Sequence, residues 1–474
     1  MHYKIFLCVL LFPVSLSAQN GELSLTLEQS ASLMNKGSRT LQMADKAVDI
    51  ARSERQKMNA FWYPSLNASG AYVHLSNHIE VKEPLRQFTD PAKDFVHSIV
   101  PDDKFISSIL DNIGAHTLTF PLLERNLTTI DANVMWPLFT GGKRIFASRI
   151  GNRMVDLAKA GREEAGATLL SELVETYYAL RLAQRVVDVR EQTFLGLQKH
   201  YRNAMKLEEN GMINKAERLF AQVTMDEARR ELESARKDLN VAQNALKVLL
   251  NVEDAISINP SSPLFMNHDL PDELYFKNLV STGSYIVSKL RIQADNQLKI
   301  SKSAYIPTIA LFGKQTLYAE NLPKNLMPRT LVGVGFTWNI FDGLNREANI
   351  RQTRLTKQTL QLGREKAQNE LGVLVDKLYS EIQNAKDDVA ALNTTIEMSR
   401  ELVRIRKKSF QEGMATSTDV IDAETMLSKV QIAFLLAYYK YDVALASLLS
   451  TCGMPESFWQ YSRTGQTENF IFGK

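Results

Sequence analysis

Two carboxylates, Asp419 and Asp422, stand three residues apart in the stretch ATSTDVIDAETML. On a helix that spacing puts both on one face, a turn from each other. Like charges so placed raise the pKa of some members. Set around an opening by several chains, such a pair makes stacked acidic rings, which attract cations and bias selectivity. The same side chains in the first turn of an ordinary helix would simply complement its dipole.

Little else in the chain is arranged for chemistry. No phosphate loop, no Cys/His cluster with zinc spacing and no GxSxG elbow occurs. Of six histidines beyond the N-terminal segment, four (His74, His78, His97 and His116) fall on or near the stretch 76–127. Their wide spacing fits a solvated loop better than a metal site. We expect no enzyme activity, no metal and no cofactor. The 474 residues carry a formal charge of only +3. That charge is spread along the chain and lacks the dense basic face of a nucleic-acid binder.

Residues 1–18 read as a secretory signal. A polar start with His2 and Lys4 precedes an apolar run from Ile5 to Leu16, and Ser17-Ala18 offers small residues for cleavage. Cys8 sits behind Phe6 and Leu7, which are too large for a lipoprotein box. After cleavage Cys452 alone remains, so no internal disulfide forms. The most apolar later stretch, Val430 to Leu449, contains Lys440 and Asp442, which argues against a helical membrane span.

The elements that must position the acidic pair come from a duplication. WPLFTGGKR (Trp136 to Arg144) returns as WNIFDGLNR (Trp338 to Arg346). Trp136, Phe139, Gly141 and Arg144 thus match Trp338, Phe341, Gly343 and Arg346. In the same register Gly211-Met212 meets Gly413-Met414. Upstream, FWYPSL around Pro64 resembles AYIPTI around Pro307 at a larger offset, so the first copy carries an insertion.

Each copy predicts a helix stopped by proline (27–58 and 272–304), two strands, the Trp junction, a very long helix and a return helix. The stretch from Gly142 to Gly211 has no proline, which gives a helix of roughly 100 Å. On the second return helix, Val420, Ala423, Leu427, Val430, Phe434, Ala437, Tyr441, Ala444 and Leu448 step by three and four. That is a heptad seam.

The predicted strands are 66–75, 128–136, 308–318 and 330–338. The last alternates Val332, Val334, Phe336 and Trp338 with Leu331, Gly333, Gly335 and Thr337. The first face suits lipid and the second a lumen. Four strands with two open edges cannot sit in a bilayer. Three chains would supply a closed barrel of about twelve.

In this order the chain resembles the TolC-like outer membrane efflux protein family. SFQEGMATSTDVIDAETML (Ser409 to Leu427) resembles that family's second hairpin tip, and LTLEQSASLMNKGSRTLQMADKAVDIA (Leu25 to Ala51) is similar to its first helix. The resemblance implies a mostly α fold with a small β part. Internally duplicated long helical hairpins would form a periplasmic α-barrel, and four strands per chain would enter a trimeric 12-stranded outer membrane β-barrel.

It divides the chain into a signal (1–18), a first repeat (19–250, with a long loop 76–127 and a tip at 211) and a girdle segment (251–271). A second repeat (272–453, tip at 413) and a girdle tail (454–474) follow. It implies a homotrimer in the outer membrane lipid of a Gram-negative cell, serving as the exit duct of a tripartite efflux or secretion system. A periplasmic adaptor (membrane fusion) protein would dock at Gly211, Met212, Gly413, Met414, Ala415 and Thr416, with an inner-membrane pump behind it. Asp419 and Asp422 would line the periplasmic constriction. Some members carry an arginine where this chain has Ala415, so a gate locked by that arginine is not expected. The competing reading is a periplasmic coiled-coil scaffold with a β cap.

Overall fold

The computed structural model describes residues 22–468, apart from 78, 102–103, 254–255, 293–294 and 322–327. The expected signal at 1–18 with Cys8, His78 and the end of the tail at 469–474 lie outside the described residues.

Strand β1 (Glu22–Leu25) leads into α1 (Leu27–Gly37), α2 (Arg39–Ala60) and β2 (Ser65–His74). Next come β3 (Ile79–Pro84), α3 (Arg86–Ile99), α4 (Lys104–Gly114), β4 (Thr117–Leu123) and β5 (Asn126–Phe139). Helices α5 (Lys143–Glu209) and α6 (Lys215–Leu250) complete the first repeat. Short strands β6 (Ser257–Pro260) and β7 (Phe265–Met266) precede α7 (Glu273–Gly283), α8 (Tyr285–Ile292) and α9 (Asp295–Ser303). The second repeat continues with β8 (Thr308–Glu320), β9 (Thr330–Thr337), α10 (Asn345–Gln411) and α11 (Ser417–Thr451). A 3-10 turn (Pro455–Ser457), α12 (Phe458–Thr464) and β10 (Gln466–Thr467) end the described chain. Helices α5 and α10 each have 67 residues, as the duplication requires.

The chain forms two compact units. The first comprises Met1–Arg52, Arg153–Gln293 and Lys357–Lys474. Its core takes in Leu173, Tyr177 and Tyr178 of α5, Ile382 of α10 and most of α11. All nine heptad residues of α11 are buried or half-buried, but so are Ile421, Ser428, Leu435, Tyr438 and Leu445. The helix is therefore enclosed on more sides than a two-helix seam needs. Among the described residues α11 is also the one helix long and apolar enough to cross a membrane, and 61% of its most apolar window is buried inside the chain.

The charge that interrupts this window is accommodated. Asp442 is fully buried, and its Oδ2 accepts from the amide of Phe265 at 3.3 Å. Burial pushes its carboxyl well above the usual range, which favours the neutral form. Glu468 is buried beside it and takes Arg181 at 2.9 Å and Arg185 at 3.3 Å, which ties the tail to α5. Tyr177 Oη donates to Leu25 O and accepts from the amide of Ser262, anchoring the parallel pair β1–β6. Cys452 is free and buried, and burial pushes its thiol up to about 12.

The second unit comprises Ser53–Asn152 and Ala294–Thr356. It holds an antiparallel sheet in the order β2-β5-β8-β9. One face carries Ser69, Asp131, Asn133, Lys314 and Thr316. Asp131 accepts from Thr316 at 2.7 Å and pairs with Lys314 at 2.9 Å, and Asn133 donates to Ser69 at 3.0 Å. On the other face one cross-strand row carries Leu66, Val134 and Val332, and the next carries Trp136, Leu311 and Val334. The expected two-faced sheet is present. Phe312 lies over Gly333, where a Cβ would meet its ring at 2.8 Å.

Three expectations need correction. The proline-stopped helices are not single. The first breaks at Ser38 (φ −64°, ψ 118°) and the second at Ser284 (φ −62°, ψ 130°), both extended conformations that interrupt the helix. Each break follows a glycine, and at the first the Ser38 hydroxyl accepts from the amide of Leu41 at 3.3 Å, capping the restart. The stretch 76–127 is no plain loop: it contains the hairpin β3–β4 and the helices α3 and α4. Trp136 does not end its strand, because β5 runs on to Phe139, whereas Trp338 follows directly on the end of β9.

Candidate functional site

The two strand-to-helix junctions use the same parts. Trp136 Nε1 donates to Trp62 O, and Trp338 Nε1 donates to Tyr305 O, both at 3.1 Å. Arg144 donates to Leu138 O and lies 4.5 Å from the centre of the Trp62 ring. Arg346 donates to Asn339 O and Ile340 O at 2.8 and 2.7 Å and lies 4.6 Å from the centre of the Tyr305 ring. Each arginine thus satisfies backbone carbonyls near the strand end and stacks on the aromatic two residues before the helix-stopping proline, Pro64 or Pro307. Phe139 and Phe341 are exposed. Gly141 and Gly343 both take positive φ, 60° and 67°. A Cβ on Gly141 would meet Ile306 Cβ at 2.8 Å, while at Gly343 the space is open. These residues build a joint and hold no reactive group.

The hairpin tips belong to the first unit. At Gly211 (φ 74°) and Gly413 (φ 73°) the long helices end in the same way. The glycine amide bonds back three residues, to Glu208 O and Phe410 O, and the methionine amide five, to Leu207 O and Ser409 O. This double bond pattern with a left-handed glycine closes helix C-termini. Met212 and Met414 project into solvent, 72% and 70% exposed. Three residues past each glycine a side chain caps the return helix: Asn214 accepts from Glu217 N at 2.9 Å, and Thr416 from Asp419 N at 3.3 Å.

Here the copies diverge. Asp419 reaches back, its Oδ2 accepting from Thr416 N at 2.9 Å and from Thr416 Oγ1 at 2.7 Å. This is a complete capping box. Its other oxygen pairs with Arg406 at 3.3 Å. The Thr416 hydrogen bonds, with Arg406 behind them, hold its carboxyl below the usual carboxylate range. Within one chain that is the opposite direction to the rise expected of crowded acids. Asp422 lies exposed one turn on and, among the described residues, has no hydrogen bond or ion pair. In the first copy Glu217 and Phe220 occupy the equivalent places. Glu217 instead turns to the other tip, accepting from Ser417 N at 3.3 Å.

The two tips share a core. Leu197, Ala204, Ala221 and Met225 of the first hairpin pack with Phe410, Val420 and Ile421 of the second, and Ala415 is packed against them. Ala415, where an arginine was the family alternative, is thus part of the apolar contact. His200 on α5 bonds Ser417 Oγ at 2.6 Å and packs on Phe410, ring centres 4.5 Å apart. Burial, with Lys407 nearby, pushes His200 down from its usual 6.5 to about 4. Lys407 pairs with Glu424, and Gly196 of α5 leaves room there, since a Cβ would meet Glu424 Oε1 at 2.8 Å. An open cleft between the turns is lined by Met212, Asn214, Glu217, Met414, Thr416 and Asp419.

The predicted tip residues are therefore gathered in one place, and the acidic pair stands at its edge. Sequence reasoning missed His200 and Ser417. A histidine inside a helical run and a serine after a cap threonine carry no local signal, and only the packing of one hairpin on the other pairs them. Among the described residues no cluster of three His, Cys, Asp or Glu side chains suits a metal.

The pattern of the family described as outer membrane efflux protein matches residues 123–252 and 289–454. The outer membrane efflux protein BepC of Brucella suis is 23% identical over 297 residues, covering 60% of this chain and 63% of that protein. The match thus spans less than two thirds of that relative's length. The probable outer membrane lipoprotein SilC of Salmonella typhimurium is 21% identical over 443 residues, covering 88% of this chain and 83% of that protein. Among solved structures, the outer membrane protein VceC of Vibrio cholerae superposes with a TM-score of 0.72 at 15% identity, covering 90% of this chain and 96% of that one. That likeness is one of fold.

Proposed function

The chain belongs to the outer membrane efflux protein family, and from that premise we propose that it is the exit duct of a tripartite efflux or secretion system. Its place is the outer membrane of a Gram-negative cell. The carrying observation is the sheet. It has an apolar face, a polar face and two edges, β2 and β9, each with one neighbour in the chain. Such edges need partners in lipid. Three copies joined β2 to β9 make a barrel of about twelve strands, polar inside and apolar outside.

The duct moves material and transforms none. Cargo arrives from an inner-membrane pump through a periplasmic adaptor, which docks on the exposed turns at Gly211-Met212 and Gly413-Met414. The exposed methionines suit that contact, being flexible and apolar. Asp419 and Asp422 of three chains ring the entrance. Asp419 also shapes the turn, so Asp422 is the cleaner selectivity element.

Fractionation tests the duct: we expect recovery with outer membranes as a detergent-soluble trimer. A soluble monomer would sink the proposal in favour of a periplasmic scaffold. Single-channel recording tests the ring. Asp422→Asn should weaken cation preference and cation block, and unchanged values would remove the pair from the gate.

A further inference from the structure

Between β2 and β5 the chain inserts the hairpin β3–β4, with α3 and α4 at its far end. These two helices are packed inside out. Small and polar groups make up much of their mutual contact, with Val96 and Leu110 only half-buried. Thr89 is buried, a Cβ on Gly114 would meet its Oγ1 at 2.5 Å, and Lys93 Nζ reaches the two oxygens of Asp111 at 2.6 and 2.7 Å. The large apolar side chains are turned to solvent instead. Phe88, Phe95 and Ile99 are 68%, 66% and 64% exposed, and Ile109 and Ile113 of α4 are exposed too. Spacings of seven and four put the α3 residues on one stripe. Exposed apolar stripes of this kind mark an interaction site.

We propose that each insertion is covered by those of neighbouring copies of this chain, so that three of them meet as a cap beyond the barrel exit. The inference rests on the trimeric duct proposed above. Three observations favour a second copy over lipid.

The first is reach. The β2–β5 ladder pairs Ser65 through His74, ten residues, about what crosses a bilayer. The insertion leaves at the His74 end, opposite Trp136, and only residues 75–78 and 124–125 separate that ladder from β3–β4. At about 3.4 Å per residue, β3–β4 carries the helices on the order of 20 Å further.

The second is charge. Arg86 and Lys93 balance Asp90 and Asp94 on α3, and Lys104 balances Asp111 on α4. A helix that lies on anionic lipid carries a Lys/Arg-rich polar face. The third is position. The insertion grows from the end of β2, the edge strand that a neighbouring chain must pair with. Two different stripes, one on each helix, let α3 of one copy meet α4 of the next, a head-to-tail contact that closes into a ring.

The test places photoreactive benzoylphenylalanine at Phe95 of the full chain, illuminates outer membranes and reads products on denaturing gels. We expect covalent dimers and trimers, at least tenfold more than with the label at Asp90 on the other side of α3. Lipid adducts alone, or no interchain product, in particles that still have the size of trimers would overturn the cap and leave the duct intact. If the unlabelled protein itself is not trimeric, the duct falls as well. Should the label at Phe95 block assembly, the same label at Ile113 decides between the same outcomes.

Discussion

The first tip turns at Gly211 with φ 74° and the second at Gly413 with φ 73°, and in both the next amide reaches back five residues. The backbones are interchangeable, but the side chains after them are not. Glu217 leaves its own turn and binds the backbone of the other tip, whereas Asp419 folds back on Thr416 and locks its own. One turn later in the helix, Phe220 stands where the other copy has Asp422. Duplication preserved what the backbone requires and released what it does not. The second tip could then gain a charged edge while the first became its support.

The same contrast runs through the junctions, and there it is easiest to break. Alanine at Gly141 adds a clash with Ile306 and Ser303 to an unfavourable φ, whereas at Gly343 it adds the φ alone. Gly141→Ala should cost about 3–4 kcal/mol and Gly343→Ala about 1–2 kcal/mol. Denaturant unfolding of the detergent-solubilised protein would measure both. Equal losses would mean that the first junction is no tighter than the second.

Acid should loosen the contact between the tips. His200 is depressed from 6.5 to about 4, so between those values the unfolded chain binds the proton that the folded one refuses. Stability is therefore full above 6.5 and falls as the pH drops toward 4, by on the order of 2–3 kcal/mol. The charged groups around the imidazole are Lys407 and Glu424, paired with each other, and Glu217 on the Ser417 amide. Protection factors at the start of α11, taken relative to the intrinsic exchange rate at each pH, should fall across that window, and in His200→Gln they should not. Protection unaffected by pH in the parent protein would refute the contact.

Smaller effects separate the two acids. Asp419→Ala removes half of a capping box and should lower the melting temperature measurably. Asp422→Ala should stay within about 0.5 kcal/mol. Thermal melts that rank them the other way would reverse the division of labour between shape and charge. Least of all should stability respond to Met212→Ser or Met414→Ser, again within about 0.5 kcal/mol. Binding of the proposed adaptor is the readout there, and undiminished affinity in the double variant would move the proposed docking site off the tips.

Much of this was legible beforehand because repetition and periodicity are properties of residue type. The four sheet strands, both long helices and the glycine turns followed from alternation, absence of proline and the repeated Gly-Met. The break at Ser38 was legible in principle, since Gly37-Ser38 and Gly283-Ser284 repeat a stop followed by a cap. The apolar pattern runs on across it and hides it. The insertion is hidden for another reason. Its extra length relative to the second repeat and its scattered histidines read as loop, while its helices place their apolar residues outward and give no sign of a core. The His200–Ser417 bond joins residues far apart in sequence, and no local pattern can announce it.

The row that joins Trp136 to Leu311 sets an order of events. Strands β2 and β5 can pair soon after they are made, and so can β8 and β9. The bond between those hairpins must wait until α5 through α9 have emerged, and its loop-closure entropy is met late. Such non-local pairing slows folding. Until then β5 offers a bare edge to any passing strand. The duplicated plan therefore makes the central seam of the sheet the last to close during biogenesis, and the interval before it closes is when the chain most needs an escort.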